Sequence, residues 1–192
     1  MPEKTLDGQT AMTGKAVNAS PWNVWKLVNF VLKRAVIAEV IAVLLFQVMF
    51  RVMIVQGTSM KPTLWEGDRL FLNYLCYEPA YGDLVSFKNE ERGYLVKRVI
   101  GMPGDTIEVR DSVVYRNGEP LEEDYIAQGY FGCGDMTGPV TVEEGHVFVM
   151  GDNRPDSYDS RFTGVGQVSE DDIVGGAVFR VRLSPFCLQA SG

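Results

Sequence analysis

Residues 35–55, AVIAEVIAVLLFQVMFRVMIV, form an almost wholly apolar run. No other feature restricts the fold so strongly, because a segment apolar on every side must be covered by protein or lie in lipid. As a helix it would measure about 31 Å, the thickness of a bilayer's hydrocarbon core. Glu39 and Arg51 fall near its ends, where long side chains reach the interface, and Gln47 is the one other polar residue. Lys33 and Arg34 directly precede the run and Lys26 lies a little earlier. The positive-inside rule then places the N-terminus in the cytoplasm and everything after residue 55 outside. Two other readings compete. The two charges and the glutamine suit a buried core helix, whereas a cleaved signal peptide would be shorter and start nearer the N-terminus. Residues 22–32, WNVWKLVNFVL, read as an interfacial helix, given their two tryptophans. The expected organisation is a cytoplasmic tail over 1–34, a single-pass plasma-membrane anchor over 35–55 in contact with the lipid bilayer, and an extracytoplasmic domain over 56–192.

Composition narrows the chemistry. The 192 residues carry a net charge of -7 with no sustained Lys/Arg run, which excludes a phosphate-binding surface and so a nucleic-acid partner. His146 is the only histidine. A multi-histidine zinc site is therefore excluded, and a Ser-His-Asp triad would have to use that one residue. Cys76, Cys133 and Cys187 are widely spaced without a CxxC pair, so they describe neither a disulfide framework nor a zinc knuckle. Residues 8–15 approach a phosphate loop, but the glycine spacing is one too long and Ala16 replaces the metal-binding hydroxyl. No metal and no cofactor is expected.

After residue 64 the texture becomes that of strands. RLFLNYL (69–75), DLVSF (83–87), GYLVKRVIG (93–101), TIEVR (106–110), VVY (113–115), HVFVM (146–150) and IVGGAVFRVRL (173–183) are rich in Val, Ile, Phe and Tyr and are cut by Gly, Asp, Asn and Pro. Asn117-Gly118 signals a hairpin turn, and residues 129–138 read as a loop. The expected class is mainly β, a sheet or partly open barrel behind one N-terminal helix. Leu64, Trp65, Phe71, Leu72 and Tyr74 are either an interfacial patch or core-facing residues.

Three segments carry candidate chemistry. Ser59 lies in GTSMKPTL (57–64), a turn bounded by Gly and Pro. Strand alternation puts Lys97 on one face with Leu95 and Val99, where desolvation would lower its pKa and make it a candidate base; the bland alternative is a lysine snorkelling from an edge strand. The loop GDNRPDSYDSR (151–161) packs three aspartates, two arginines and two serines together, either as a solvated turn or as a fixed hydrogen-bonded network.

Taken together, these segments resemble the type I signal peptidases (leader peptidases) of bacteria. The resemblance rests on S-M-x-P-T at 59–63, GDLVSF at 82–87, KRVIGMPGD at 97–105 and GDNRPDSYDSR at 151–161, and covers about residues 35–185. It implies a membrane-bound serine endopeptidase that removes signal peptides from exported preproteins after A-x-A-like sites, through an acyl-enzyme. Ser59 would be the nucleophile, Lys97 the general base, and Ser157 the hydroxyl that orients the lysine amine. Asp159 and Arg161 would form a structural ion pair, supported by Asp152 and Arg98. The Ser59 backbone N–H would hold the oxyanion; some relatives add a hydroxyl two residues earlier, but that position is Gly57 here, which leaves only its backbone. Met60 and Val96 would line pockets for small side chains, with substrate bound as an added strand.

The rivals are a penicillin-binding enzyme, excluded because no serine is followed by lysine three residues on, a self-cleaving repressor, which would need a DNA-binding module where this chain has its apolar run, and a catalytically inactive membrane-anchored β-domain that binds partner proteins.

Overall fold

The computed structural model describes residues 21–75 and 77–182, with side chains from residue 24 onward. Residues 1–20 of the expected tail, Cys76 and Cys187 lie outside the described residues. Internal contacts divide the chain after Leu44. The division falls inside one helix, α1 (Pro21–Met49). It starts well before the apolar run and stops short of its end. Residues Phe50–Ile54 are instead strand β1, paired antiparallel with β2 (Arg69–Asn73) from Phe50↔Asn73 to Ile54↔Arg69. The expected helix over 35–55 is corrected accordingly. A continuous apolar run has no period that separates helix from strand, so the partner strand decides. Among the described residues no helix is long and apolar enough to cross a membrane.

The second unit is built on two open antiparallel sheets rather than a barrel. The larger holds β1, β2, β3 (Leu84–Asn89), β4 (Gly93–Gly101), β9 (His146–Met150), β10 (Val168–Ser169) and β11 (Ile173–Val181), in the order β1-β2-β11-β3-β4-β9-β10. The smaller holds β5 (Thr106–Arg110), β6 (Val113–Arg116), β7 (Glu119–Pro120) and β8 (Val140–Thr141), in the order β7-β6-β5-β8. Asn117 and Gly118 form the β6–β7 turn, both at positive φ (55° and 82°), as an Asn-Gly hairpin requires.

Strand alternation fills three apolar clusters. Ile100, Ile107, Val114 and Phe148 pack one between the sheets. Val85, Phe87, Val99 and Val149 pack a second. Val55, Met60, Leu64, Leu70 and Leu72 pack a third under the turn that follows β1. Leu64 and Leu72 are thus core residues and not an interfacial patch, while Trp65 is exposed. Phe71 turns to the opposite face of β2 and stacks on Phe179, with ring centroids 4.2 Å apart.

Candidate active site

The chain leaves β1 into a turn that presents Ser59. Gly57 begins it at φ +79°, a left-handed conformation that favours glycine. The Lys61 N–H bonds to the Thr58 carbonyl at 3.1 Å and the Leu64 N–H to the Met60 carbonyl at 2.8 Å. Met60 and Leu64 sink into the third cluster, so the turn is fixed from below. The 151–157 loop fixes it from the other side. The Asn153 N–H donates to the Ser59 carbonyl at 2.9 Å, Asn153 Nδ2 donates to the Thr58 carbonyl at 3.1 Å, and the Thr58 hydroxyl donates to the Asp156 carboxylate.

Lys97 comes from the middle of β4. Its cross-strand partner is Val85, which is fully buried, and Leu95 and Val99 belong to the same apolar cluster. Lys97 is itself 2% exposed. Among the described residues it has no carboxylate partner, and Nζ donates to Ser59 Oγ at 2.6 Å. Burial pushes the ammonium pKa down from 10.5 to about 8; Asp159 and Asp152 oppose the shift, while Arg161 and Arg92 assist it.

Beside this pair lies a buried polar network. Asp159 accepts from Arg161 Nε at 2.8 Å and Nη2 at 2.9 Å, from the Gly151 N–H at 3.0 Å and from Ser157 Oγ at 2.7 Å. Arg161 also donates to the carbonyls of Gly132, Arg154 and Ser157. Arg98 grips Asp152 through Nε at 2.8 Å and Nη2 at 2.6 Å and reaches the Gly82 carbonyl. No buried side-chain polar atom among the described residues lacks a partner.

The structure thus brings Ser59, Lys97, Ser157, Asp159, Arg161, Asp152 and Arg98 to one place. It gives Ser157 a different bond from the one the resemblance implies: its hydroxyl donates to Asp159, and none of the hydrogen bonds of the described residues joins it to Lys97. Ser157 nevertheless lines one cleft with Ser59 and Lys97. Met60 and Val96 both line another, of about 300 Å³, although Met60 is only 3% exposed.

Sequence reasoning gave no role to Asn153, Thr58 and Asp156, which hold the serine turn, or to Gly151, whose Cβ position is already filled by Ser157 Oγ and the Ser59 carbonyl. The crowded loop sequence was their only signal. Glu123 carried none: it pairs with buried Arg154 at 2.9 and 2.5 Å across 31 residues of chain.

The two clefts meet at Ser59 and Lys97. The first runs between Met53–Gln56 at the outer edge of β1 and Tyr94–Val96 of β4. The second, of about 360 Å³, shares Ser59, Lys97 and Arg92 with the first and is bounded by Gly57, Thr58 and Pro155–Tyr158.

Comparison with known proteins places this mainly β chain in a peptidase family. The family described as signal peptidase, peptidase S26, matches residues 28–182. Signal peptidase I T of Bacillus subtilis (strain 168) is 41% identical over 159 residues, covering 77% of this chain and 81% of that protein. A probable signal peptidase I-1 of Synechocystis is 37% identical over 169 residues, covering 81% and 83%. A solved signal peptidase I from Enterococcus faecalis V583 is 37% identical, with a TM-score of 0.45, and covers 52% of this chain and 96% of that one. The chain belongs to the S26 signal peptidase family and is, by that membership, a serine peptidase.

Proposed function

We propose that this protein is a membrane-bound endopeptidase that removes signal peptides from exported preproteins after A-x-A-like sites, with Ser59 as nucleophile and Lys97 as general base. The observation that carries this reading is the 2.6 Å contact between Lys97 Nζ and Ser59 Oγ in a site where the lysine is desolvated and unpaired. With the amine neutral, the same contact runs in reverse and the Ser59 hydroxyl donates to Nζ. Oγ attacks the scissile carbonyl while Nζ takes its proton, then returns it to the leaving amine. A water deprotonated by the same amine attacks the acyl-enzyme, the bond to Ser59 Oγ breaks to release the second product, and Nζ returns the proton to Oγ. The Ser59 N–H donates to no acceptor among the described residues and is the donor assigned to the oxyanion, with the Gly57 backbone beside it. Ser157 acts on the lysine from within the same cleft, its own hydroxyl held by Asp159.

Substrate lies extended in the first cleft, adding a strand between the free edge of β1 and the outer part of β4. Apolar walls from Ile54, Leu95 and Val96 suit small side chains at the cleavage site. Anchoring falls to α1, with its N-terminus cytoplasmic. The helix exposes Val36, Ile37, Val40, Ile41, Leu44 and Leu45 on all sides, which suits lipid better than water. Lys33, Arg34 and Glu39 shorten its uninterrupted apolar part, so these side chains must reach toward the interface.

The test is cleavage of a purified preprotein by the full chain in detergent. Wild type is expected to release the mature protein, and Ser59→Ala or Lys97→Ala to lower kcat by about 10³-fold or more. A variant that cleaves at the wild-type rate would disprove the assigned dyad. Carbonate-resistant membrane association of the full chain checks the anchor.

A further inference from the structure

Four arginines surround the candidate site, and three are committed to carboxylates. Arg98 holds Asp152, Arg154 holds Glu123 and Arg161 holds Asp159. Arg92, on the β3–β4 hairpin, is exposed and forms no ion pair among the described residues. Its guanidinium lies over the Tyr158 ring, 4.0 Å from the centroid, and Tyr158 in turn stacks on Phe162 at 5.1 Å. Stacking fixes the plane of a guanidinium while leaving its in-plane N–H groups free, which is the geometry that takes a carboxylate through two parallel bonds. Part of the ordering cost of such a bond is therefore already met before a ligand arrives.

Arg92 also stands where the two clefts join. The apolar first cleft takes the small residues that precede the scissile bond, so the second, toward Pro155–Tyr158, receives the residues that follow it. The charged groups bordering that second cleft are Arg92, Lys97 and Asp156. Lys97 works as the neutral amine, and the Asp156 carboxylate is engaged by the Thr58 hydroxyl. Arg92 is left as the cation available to a ligand.

We infer that Arg92 is a specificity-determining residue that binds an acidic side chain within the first few residues after the scissile bond. The inference rests on the peptidase reading given above and adds a substrate preference to it: preproteins whose mature end opens with Asp or Glu are favoured. Arg92 also contributes to holding the Lys97 pKa down, so its loss has a second, independent signature in the pH profile.

The experiment uses the full chain in nonionic detergent and two preproteins that differ only by Glu or Gln at the second residue after the cleavage site. Wild type is expected to favour the Glu substrate by about three- to five-fold in kcat/KM, the scale of a partly exposed charge pair, and the preference is expected to shrink as salt rises. Arg92→Gln should bring the ratio to one and raise the apparent pKa of the rate, Arg92→Lys should keep part of the preference, and Arg92→Glu should reverse it. Cleavage of both substrates at equal kcat/KM by wild type overturns this inference and leaves the peptidase reading standing. So does a ratio unchanged in Arg92→Gln, or a loss that affects both substrates equally and only when anionic lipid vesicles are present, which would assign the cation to the membrane surface. Failure of wild type to cleave either substrate overturns both.

Discussion

Lys97 and Arg161 are both buried cations of one site, 2% and 3% exposed, yet their surroundings are opposite. Arg161 meets Asp159 through two nitrogens and fills its remaining donors with three backbone carbonyls. Lys97 meets a strand of valines and one serine hydroxyl. Burial costs both groups hydration, but only Arg161 receives a counter-charge in return. The paired cation ties the loop together; the unpaired one is driven toward its neutral form, the form that the proposed general base requires. The protein thus offsets the burial of one cation with a carboxylate and leaves the other with a depressed pKa.

Breaking the paired side should have the largest effect on folding. Asp159→Ala leaves Arg161 buried without its carboxylate and removes the acceptor of Ser157 and of the Gly151 N–H, so a loss of about 3–5 kcal/mol is expected. A urea midpoint equal to that of wild type would mean that the network is not structural. Lys97→Met should do the reverse. The folded-state pKa of about 8 lies below the ordinary 10.5, so the folded protein bears the full cost of a buried ammonium below pH 8. Between about 8 and 10.5 the unfolded chain binds the extra proton and stability rises with pH; above that window the cost is gone. Lys97→Met is expected to gain up to about 2–3 kcal/mol below pH 8, with the gain fading across the window. A gain that does not vary with pH would separate the effect from the charge.

The contrast between the two cations was only partly legible in the sequence. The bounds expected for β4 match the structure, because Gly93 and Gly101 bracket the run, and Leu95 and Val99 share one apolar cluster while Val96 packs in another, as strand alternation requires. The loop 151–161 was visibly dense in charge, but its wiring was not visible. Ser157 and Asp159 are two residues apart and bond to each other, a local choice that competes with any bond from Ser157 to Lys97 and that composition cannot rank. β1 was hidden because apolar helix and apolar strand look alike until β2 supplies hydrogen-bond partners. The two-residue strands β7, β8 and β10 are too short to carry a pattern. Glu123 finds Arg154 only through the tertiary fold.

If the proposed dyad holds, the kinetic consequence of the unpaired side is a rate that climbs as Lys97 loses its proton. Below pH 8 the rate should rise about tenfold per pH unit and level off above it. A flat profile from pH 6 to 10 would remove the lysine as base. His146, whose Nδ1 lies 3.0 Å from the Glu144 carbonyl and which takes no part in the site, should leave the profile unchanged on mutation to Ala; a shifted or abolished acid limb would bring a histidine mechanism back.

The smallest effect expected concerns how the two sides are held in register. The 151–161 loop carries the paired network, while the serine turn carries the group that Lys97 must reach, and Asn153 ties one to the other through its backbone N–H on Ser59 and its side-chain amide on Thr58. Asn153→Ala removes the side-chain tie and keeps the backbone one. If the loop serves only to fold the protein, kcat should follow stability and remain near wild type under conditions where the variant is folded. If the loop sets the position of the nucleophile, kcat should fall several-fold, by roughly 3–10-fold, with KM little changed, since a lost neutral hydrogen bond loosens Ser59 without displacing it. We expect the second outcome, because the carbonyls of Thr58 and Ser59 that receive these two bonds belong to the turn that holds the proposed nucleophile.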